Sequence, residues 1–162
     1  MLATRQESGI GAALARIATM PAFVQSALRA APVRSLAARG DGEMFALVEQ
    51  ACHLRDVDRD GYLVRVRRIL AEDEPTLAPF FGDVVARERA YLAQDAHAAA
   101  RDFAAARAEL VALLAGVAPA GLERTAMFGG GRITLRGLVG MIEEHDRGHR
   151  EEIERLRSTV AR

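Results

Sequence analysis

The chain contains no lysine: all 22 of its basic residues are arginine. That removes Schiff-base catalysis through an ε-amine, and the lysine of a phosphate-binding P-loop, from consideration. Cysteine is almost as scarce, and the single thiol, Cys52, has no partner within the chain for a disulfide. Neither sign of charge is in excess, because 22 acidic side chains cancel the arginines. Nothing in the bulk electrostatics therefore draws the protein to nucleic acid or to an anionic membrane. Long apolar runs are missing too: no stretch approaches the roughly 18 to 20 uninterrupted residues of a membrane-spanning helix. The first twenty residues lack the basic start, apolar run and small-residue cleavage site of a secretory signal. These absences lead to the expectation of a soluble, cytoplasmic protein that binds neither nucleic acid nor membrane.

What is present favours helix. Alanine, leucine, arginine and glutamate dominate, and β-branched runs with period-two alternation are lacking, so the reading is all-α. A chain of 162 residues and 17.5 kDa fits one domain over 1–162. A first helical region covers about residues 7 to 30, with Pro21 either kinking it or occupying the first turn of its second half. "APVRSLAARGDG" breaks it. A long second helix runs from about Glu43 to Ala71, and the loop "EDEPTLAPFFGD" follows, with prolines that cannot continue it. After a short helix near 83 to 92, a third long helix spans about 94 to 115, where Phe103, Ala106, Leu110, Leu113 and Leu114 recur at helical steps. The glycine triplet 129–131 reads as a flexible connection, because no strand precedes it and no Gly-Lys-Ser/Thr follows. Thr134 can cap a final helix reaching about Thr159. The expected architecture is an antiparallel four-helix bundle with one or two short extra helices.

The final helix carries the chemistry. Leu135, Leu138, Ile142, His145, His149, Ile153, Leu156 and Val160 follow at steps of three and four, so two of the chain's four histidines sit in the middle of the apolar stripe. Four residues apart, they project from one face on successive turns, a separation at which two imidazoles can share a metal ion. Two buried imidazoles without partners would cost several kcal/mol, and a cation is one way to satisfy them. The sequence is not the zinc-protease H-E-x-x-H, since Asp146 follows His145. A third imidazole would have to come from His53 or His97. His97, flanked by alanines, reads as an exposed or capping residue. His53 shares a face with Glu49, Asp56 and Asp60, a strip that is either solvated charge or a set of carboxylates orienting a metal-bound ring. Cys52 points about 100° away from His53 and reads as core.

"MFALVEQACHLRDVDRDGYLVRVRRIL", "YLAQDAHAAARDFAAARAELVALL" and "ITLRGLVGMIEEHDRGHREEIERLR" resemble the second, third and last helices of the DinB-like (YfiT-type) family. The marks are an aromatic residue eight positions before His-Leu-x-Asp, the pair Phe103 and Arg107, and His-Asp-x-x-His. The likeness spans about residues 18 to 158, with Phe45 where the family often has tryptophan. It implies a four-helix bundle whose metal ligands are His53, His145 and His149, holding a divalent ion, zinc or nickel. It also implies a homodimer and a small-molecule substrate, in some relatives a low-molecular-weight thiol such as bacillithiol or mycothiol. Three protein ligands with room for water describe an open site of catalytic type. The implied function is a metal-dependent thiol S-transferase or hydrolase, and the alternative is a stress-associated metal-binding protein without turnover. No motif assigns catalytic residues. Arg132, Arg136 and Arg147 could bind carboxylates, although scattered surface arginines are the plainer reading.

Overall fold

The computed structural model describes residues 9–160. Helices α1 (Gly11–Ile17) and α2 (Met20–Ala30) form the first arm of the bundle. The expected start near residue 7 lies outside the described residues. Pro21 stands in the first turn of α2, where its missing N–H leaves no hydrogen bond unmade. The second arm is α3 (Leu47–Asp56), a π-helical turn (Val57–Tyr62) and α4 (Leu63–Ala71). It begins at Leu47 and not at Glu43, because Glu49 Oε1 accepts the Ala46 N–H at 3.0 Å and so fixes the first turn. After the short α5 (Gly82–Glu88) comes α6 (Ala96–Ala115), capped by Asp95 through a 2.8 Å bond from the Ala98 N–H. The last arm is α7 (Leu135–Val160), where Thr134 Oγ1 accepts the Gly137 N–H at 3.0 Å, the expected cap.

The four arms make a bundle in which α6 packs on α2 and α3, and α7 packs on α1 and α2. Among the described residues no helix is long and apolar enough to cross a membrane. One element departs from the all-helical expectation. Residues Thr125–Phe128 (β1) and Gly131–Thr134 (β2) pair antiparallel, with Phe128 opposite Gly131. Gly129 and Gly130 both have positive φ, 61° and 82°, which is the two-residue turn that matches strand twist. The triplet is therefore a defined hairpin turn and not a flexible connection. Strand β1 also grips the preceding loop: the Met127 N–H donates to Pro75 O at 2.9 Å and the Leu77 N–H to Met127 O at 2.8 Å. The loop so anchored carries Ala78, Pro79 and Phe80 toward the bundle.

The apolar interior falls into two clusters. Val24, Leu28, Phe45, Phe103, Ile153 and Leu156 belong to one, while Leu14, Ile17, Leu110, Leu135, Leu138 and Ile142 belong to the other. Between them α3, α6 and α7 all turn polar side chains inward, at His53, Arg107, and His145 and His149. This intervening layer holds the candidate site.

Candidate metal centre

His53 on α3 and His145 and His149 on α7 meet with their Nε2 atoms inward. His145 Nε2 lies 3.1 Å from His53 Nε2 and 3.1 Å from His149 Nε2, and the three donor atoms all lie within 4.8 Å of one another. Metal–imidazole bonds of about 2.0–2.1 Å at tetrahedral angles separate neighbouring nitrogens by about 3.3 Å, close to the two 3.1 Å separations here, so the three residues could hold a metal ion. The other two residue types weighed as ligands are elsewhere. His97 is exposed, and Cys52 is buried against Gln94, where burial pushes its thiol up to about 11 and keeps it inert.

The His149 ring is fixed by hydrogen bonding. Its Nδ1 lies 2.7 Å from Gln50 Oε1 and 3.2 Å from Glu152 Oε2, and Gln50 Nε2 donates to the same carboxylate at 2.7 Å. Both neighbours of Nδ1 are acceptors, so Nδ1 carries a proton and Nε2 is the nitrogen that faces the cluster. The hydrogen bond to His149, with help from Gln50 and Arg155, holds the Glu152 carboxyl down at about 2 despite partial burial. His53 and His145 are held by packing instead. Phe45 and Phe80 lie 5.2 and 6.0 Å from the His53 ring centre, and Tyr62 meets His145 edge-on at 5.9 Å. Gly82, at the start of α5, seats the His53 ring: a Cβ there would stand 2.7 Å from Cε1 and 2.8 Å from Nδ1.

No proton arrangement satisfies this cluster. Burial, then the neighbouring imidazoles, lowers His53 to about 3 and His145 well below the ordinary histidine range, so both rings are neutral. A neutral imidazole nitrogen either donates or accepts, and His145 Nε2 faces a nitrogen on each side. Whichever role it takes, one 3.1 Å contact lacks a linear hydrogen bond. In addition, Nδ1 of His53 and of His145 is buried with no hydrogen-bond partner among the described residues. A divalent cation at the convergence point removes the first conflict, since all three Nε2 lone pairs would then point at positive charge.

The carboxylate strip beside His53 does not orient it. Asp56 is bound by Arg55 Nε at 2.7 Å, by the Tyr91 hydroxyl at 2.7 Å and by Arg89 at 2.9 Å; Asp60 pairs with Arg89 and Glu49 with Arg39. The π turn explains part of this. On a regular helix Asp60 lies about 20° from His53, whereas absorbing one additional residue swings it to about 120°. By the same shift Arg65, about 120° away on a regular helix, comes to within about 20° of the His53 face. Arg132, Arg136 and Arg147 are surface residues paired with Glu74, Glu123 and Glu144. Gln50 and Glu152 escaped the sequence reading, although each stands three residues from a site histidine.

A pocket of about 470 Å³ opens over the cluster, with His53 and His145 in its floor, Tyr62 and Arg65 beside them, and Phe80 and Phe128 among its walls. Glu144 is at its rim.

The bundle thus gathers three histidines from two arms beneath an open pocket, and bundle cores are places where facing helices can build metal sites. The chain belongs to the DinB superfamily, whose family model matches residues 16–153. Among solved structures it is similar to YfiT from Bacillus subtilis, described as a probable metal-dependent hydrolase with an unusual four-helix bundle topology. The TM-score is 0.86 at 18% identity, over 99% of this chain and 92% of that one. No curated protein sequence matches.

Proposed function

We propose that this chain is a metal-dependent hydrolase of a small molecule, in which His53, His145 and His149 hold one divalent ion, zinc or nickel. The observation that carries the reading is the convergence of three Nε2 atoms that no proton arrangement satisfies, in the floor of an open pocket. A bound divalent ion supplies Lewis acidity, which makes water or a thiol nucleophilic near neutral pH. The chain's own residues do the rest. Gln50 and Glu152 fix the His149 tautomer and the direction of its lone pair. Pro79, Phe80, Phe128 and Met141 exclude water from the pocket and hold the apolar part of the substrate. Glu144 at the rim is the carboxylate available to take up a proton.

A second reading, transfer from a low-molecular-weight thiol, is favoured by one feature: Glu144 is exposed and engaged by Arg147, so the pocket lining offers no buried carboxylate base. A thiol is acidic enough to need less help. The open pocket weighs against a metal store without turnover, since a closed site would serve that purpose. The test combines metal content of the purified protein with a panel of esters, amides and activated electrophiles, each with and without added thiol. Thiol-independent hydrolysis supports the first reading and strictly thiol-dependent turnover the second. One bound ion with no turnover of either kind returns the site to a binding role.

A further inference from the structure

We infer that Arg65 is a substrate-recognition residue that binds a carboxylate beside the three-histidine cluster, so that the substrate is an organic acid with an apolar body. This deepens the proposed hydrolase or transferase reading and rests on it. Arg65 is only 6% exposed, yet among the described residues no carboxylate lies within 4 Å of it. Among the described residues its one hydrogen bond runs from Nη2 to Ala78 O at 3.1 Å, and its Nε is buried with no partner among them. The guanidinium is held in place by aromatic faces, with its central carbon 4.5 Å from the Phe128 ring centre and 5.6 Å from that of Tyr62. Buried cations are ordinarily paired, as Arg107 and Arg55 are in this same bundle. An unpaired one that lines the pocket beside His53 and His145 is a cation kept for a ligand.

The chemistry of the ligand follows from what surrounds it. One guanidinium with unpaired N–H groups matches one planar monoanion, and the described pocket lining holds no second arginine to neutralise a phosphate dianion. Pro79, Phe80, Phe128 and Met141 offer nothing but apolar contact. The substrate's charged end therefore lies on Arg65 and its reacting group toward the histidine Nε2 atoms.

The probe is phenylacetate, with neutral phenylacetamide and inorganic phosphate as controls, titrated by calorimetry into chelator-treated and zinc-loaded protein. Phenylacetate is expected to bind both forms more tightly than either control. Arg65→Met keeps the stacking stem, and it should weaken phenylacetate about tenfold or more in both forms, the loss of a charge-assisted hydrogen bond. Phenylacetamide binding should not change. Arg65→Lys, which keeps charge without the planar fork, should fall between. Phenylacetate binding that vanishes on metal removal and ignores Arg65→Met would place the carboxylate on the ion and overturn the proposal. Phosphate binding more tightly than phenylacetate would overturn the carboxylate assignment. Zinc stoichiometry in the same samples tests the histidine site separately: one ion per chain with no Arg65 effect sinks only this inference, and no ion sinks the reading beneath it. Unchanged thermal melts of the two variants certify that the fold is intact.

Discussion

The polar layer of the bundle contains two assemblies that share the second arm and α7, and they differ in how far their polar atoms are paired. Around Arg107 every donor is used. Nε and Nη2 bond Asp58 at 2.7 and 3.0 Å, Nη1 and Nη2 bond Asp146 at 2.5 and 3.0 Å, and Nη1 also donates to Ile17 O at 2.8 Å. Five N–H groups have five acceptors, on α1, the π turn and α7. One residue along α7 from Asp146, the histidine cluster leaves two Nδ1 atoms and a set of facing Nε2 atoms unsatisfied. Buried polar groups are costly when unpaired and unremarkable when paired. The difference sets the two apart: the satisfied assembly ties all four arms together, and the unsatisfied one is the candidate site.

Breaking each assembly should give opposite signatures. The largest effect expected is on metal content: His145→Ala and His149→Ala abolish tight binding of one divalent ion per chain, while the metal-free proteins stay folded. Equal metal content in wild type and both variants would remove the site. Next, Arg107→Met strands two buried carboxylates and should cost about 3–5 kcal/mol in urea unfolding. A loss below about 1 kcal/mol would mean that the network is not the tie described. A third, smaller effect is expected at the hinge between the two. Gln50→Leu or Glu152→Gln frees the His149 ring and should weaken metal affinity by roughly 10- to 100-fold in chelator competition. Affinity unchanged in both would mean that packing alone orients the ring.

The two assemblies also titrate in opposite senses. His53, lowered to about 3 from an unfolded value near 6.5, contributes stability that is full above pH 6.5 and lost as pH falls toward 3, because only the unfolded state takes up the proton. His145 acts in the same direction. Asp58 is pushed up to about 6 by burial, against the pull of Arg107. Its contribution is full below the unfolded value of 3.8 and is lost as pH rises through 6. In denaturation of the metal-free protein between pH 7.5 and 4.5, His53→Leu should flatten the acid loss and Asp58→Asn should steepen it. Identical slopes in both variants would contradict these assignments. The same shifts change what proton release on metal binding should look like. Two of the three rings are already neutral in the folded state, so log affinity should vary with pH by well under three.

The helices and the histidine stripe were legible because both follow the helical period: Leu135, Leu138, Ile142, His145, His149, Ile153 and Leu156 all turn inward from one helix. Bringing His53 to the pair needed tertiary information, which the family resemblance supplied and periodicity did not. The hairpin was missed although its signal is visible. "TAM" and "RIT" flank a glycine turn, but four-residue strands are too short to stand out from a loop. The π turn left no mark in the hydrophobic pattern. A helix drawn without it puts Asp60 on the site and Arg65 off it, the reverse of what the structure has. That single displaced residue is why the exposed arginines near the last helix drew attention and the buried one did not.

Asp56 gives the smallest expected effect and the sharpest check on the comparison. Its proximity to His53 in sequence makes it a natural orienting carboxylate, and on that reading Asp56→Ala weakens metal binding by roughly 10- to 100-fold. In the structure its oxygens are taken by Arg55, Arg89 and Tyr91, while the His53 Nδ1 has no partner among the described residues. Its role is to neutralise Arg55 and pin Tyr91 against α3, as Asp58 and Asp146 serve Arg107. Asp56→Ala should therefore cost about 1–3 kcal/mol of stability by leaving the buried Tyr91 hydroxyl and Arg55 under-bonded, with metal affinity changed by no more than about twofold. Competition against a fluorescent chelator measures the second quantity directly. A drop in affinity of tenfold or more, with stability near wild type, would mean that Asp56 reaches His53 once the ion is bound, and the line between satisfied scaffold and unsatisfied site would have to be redrawn through α3.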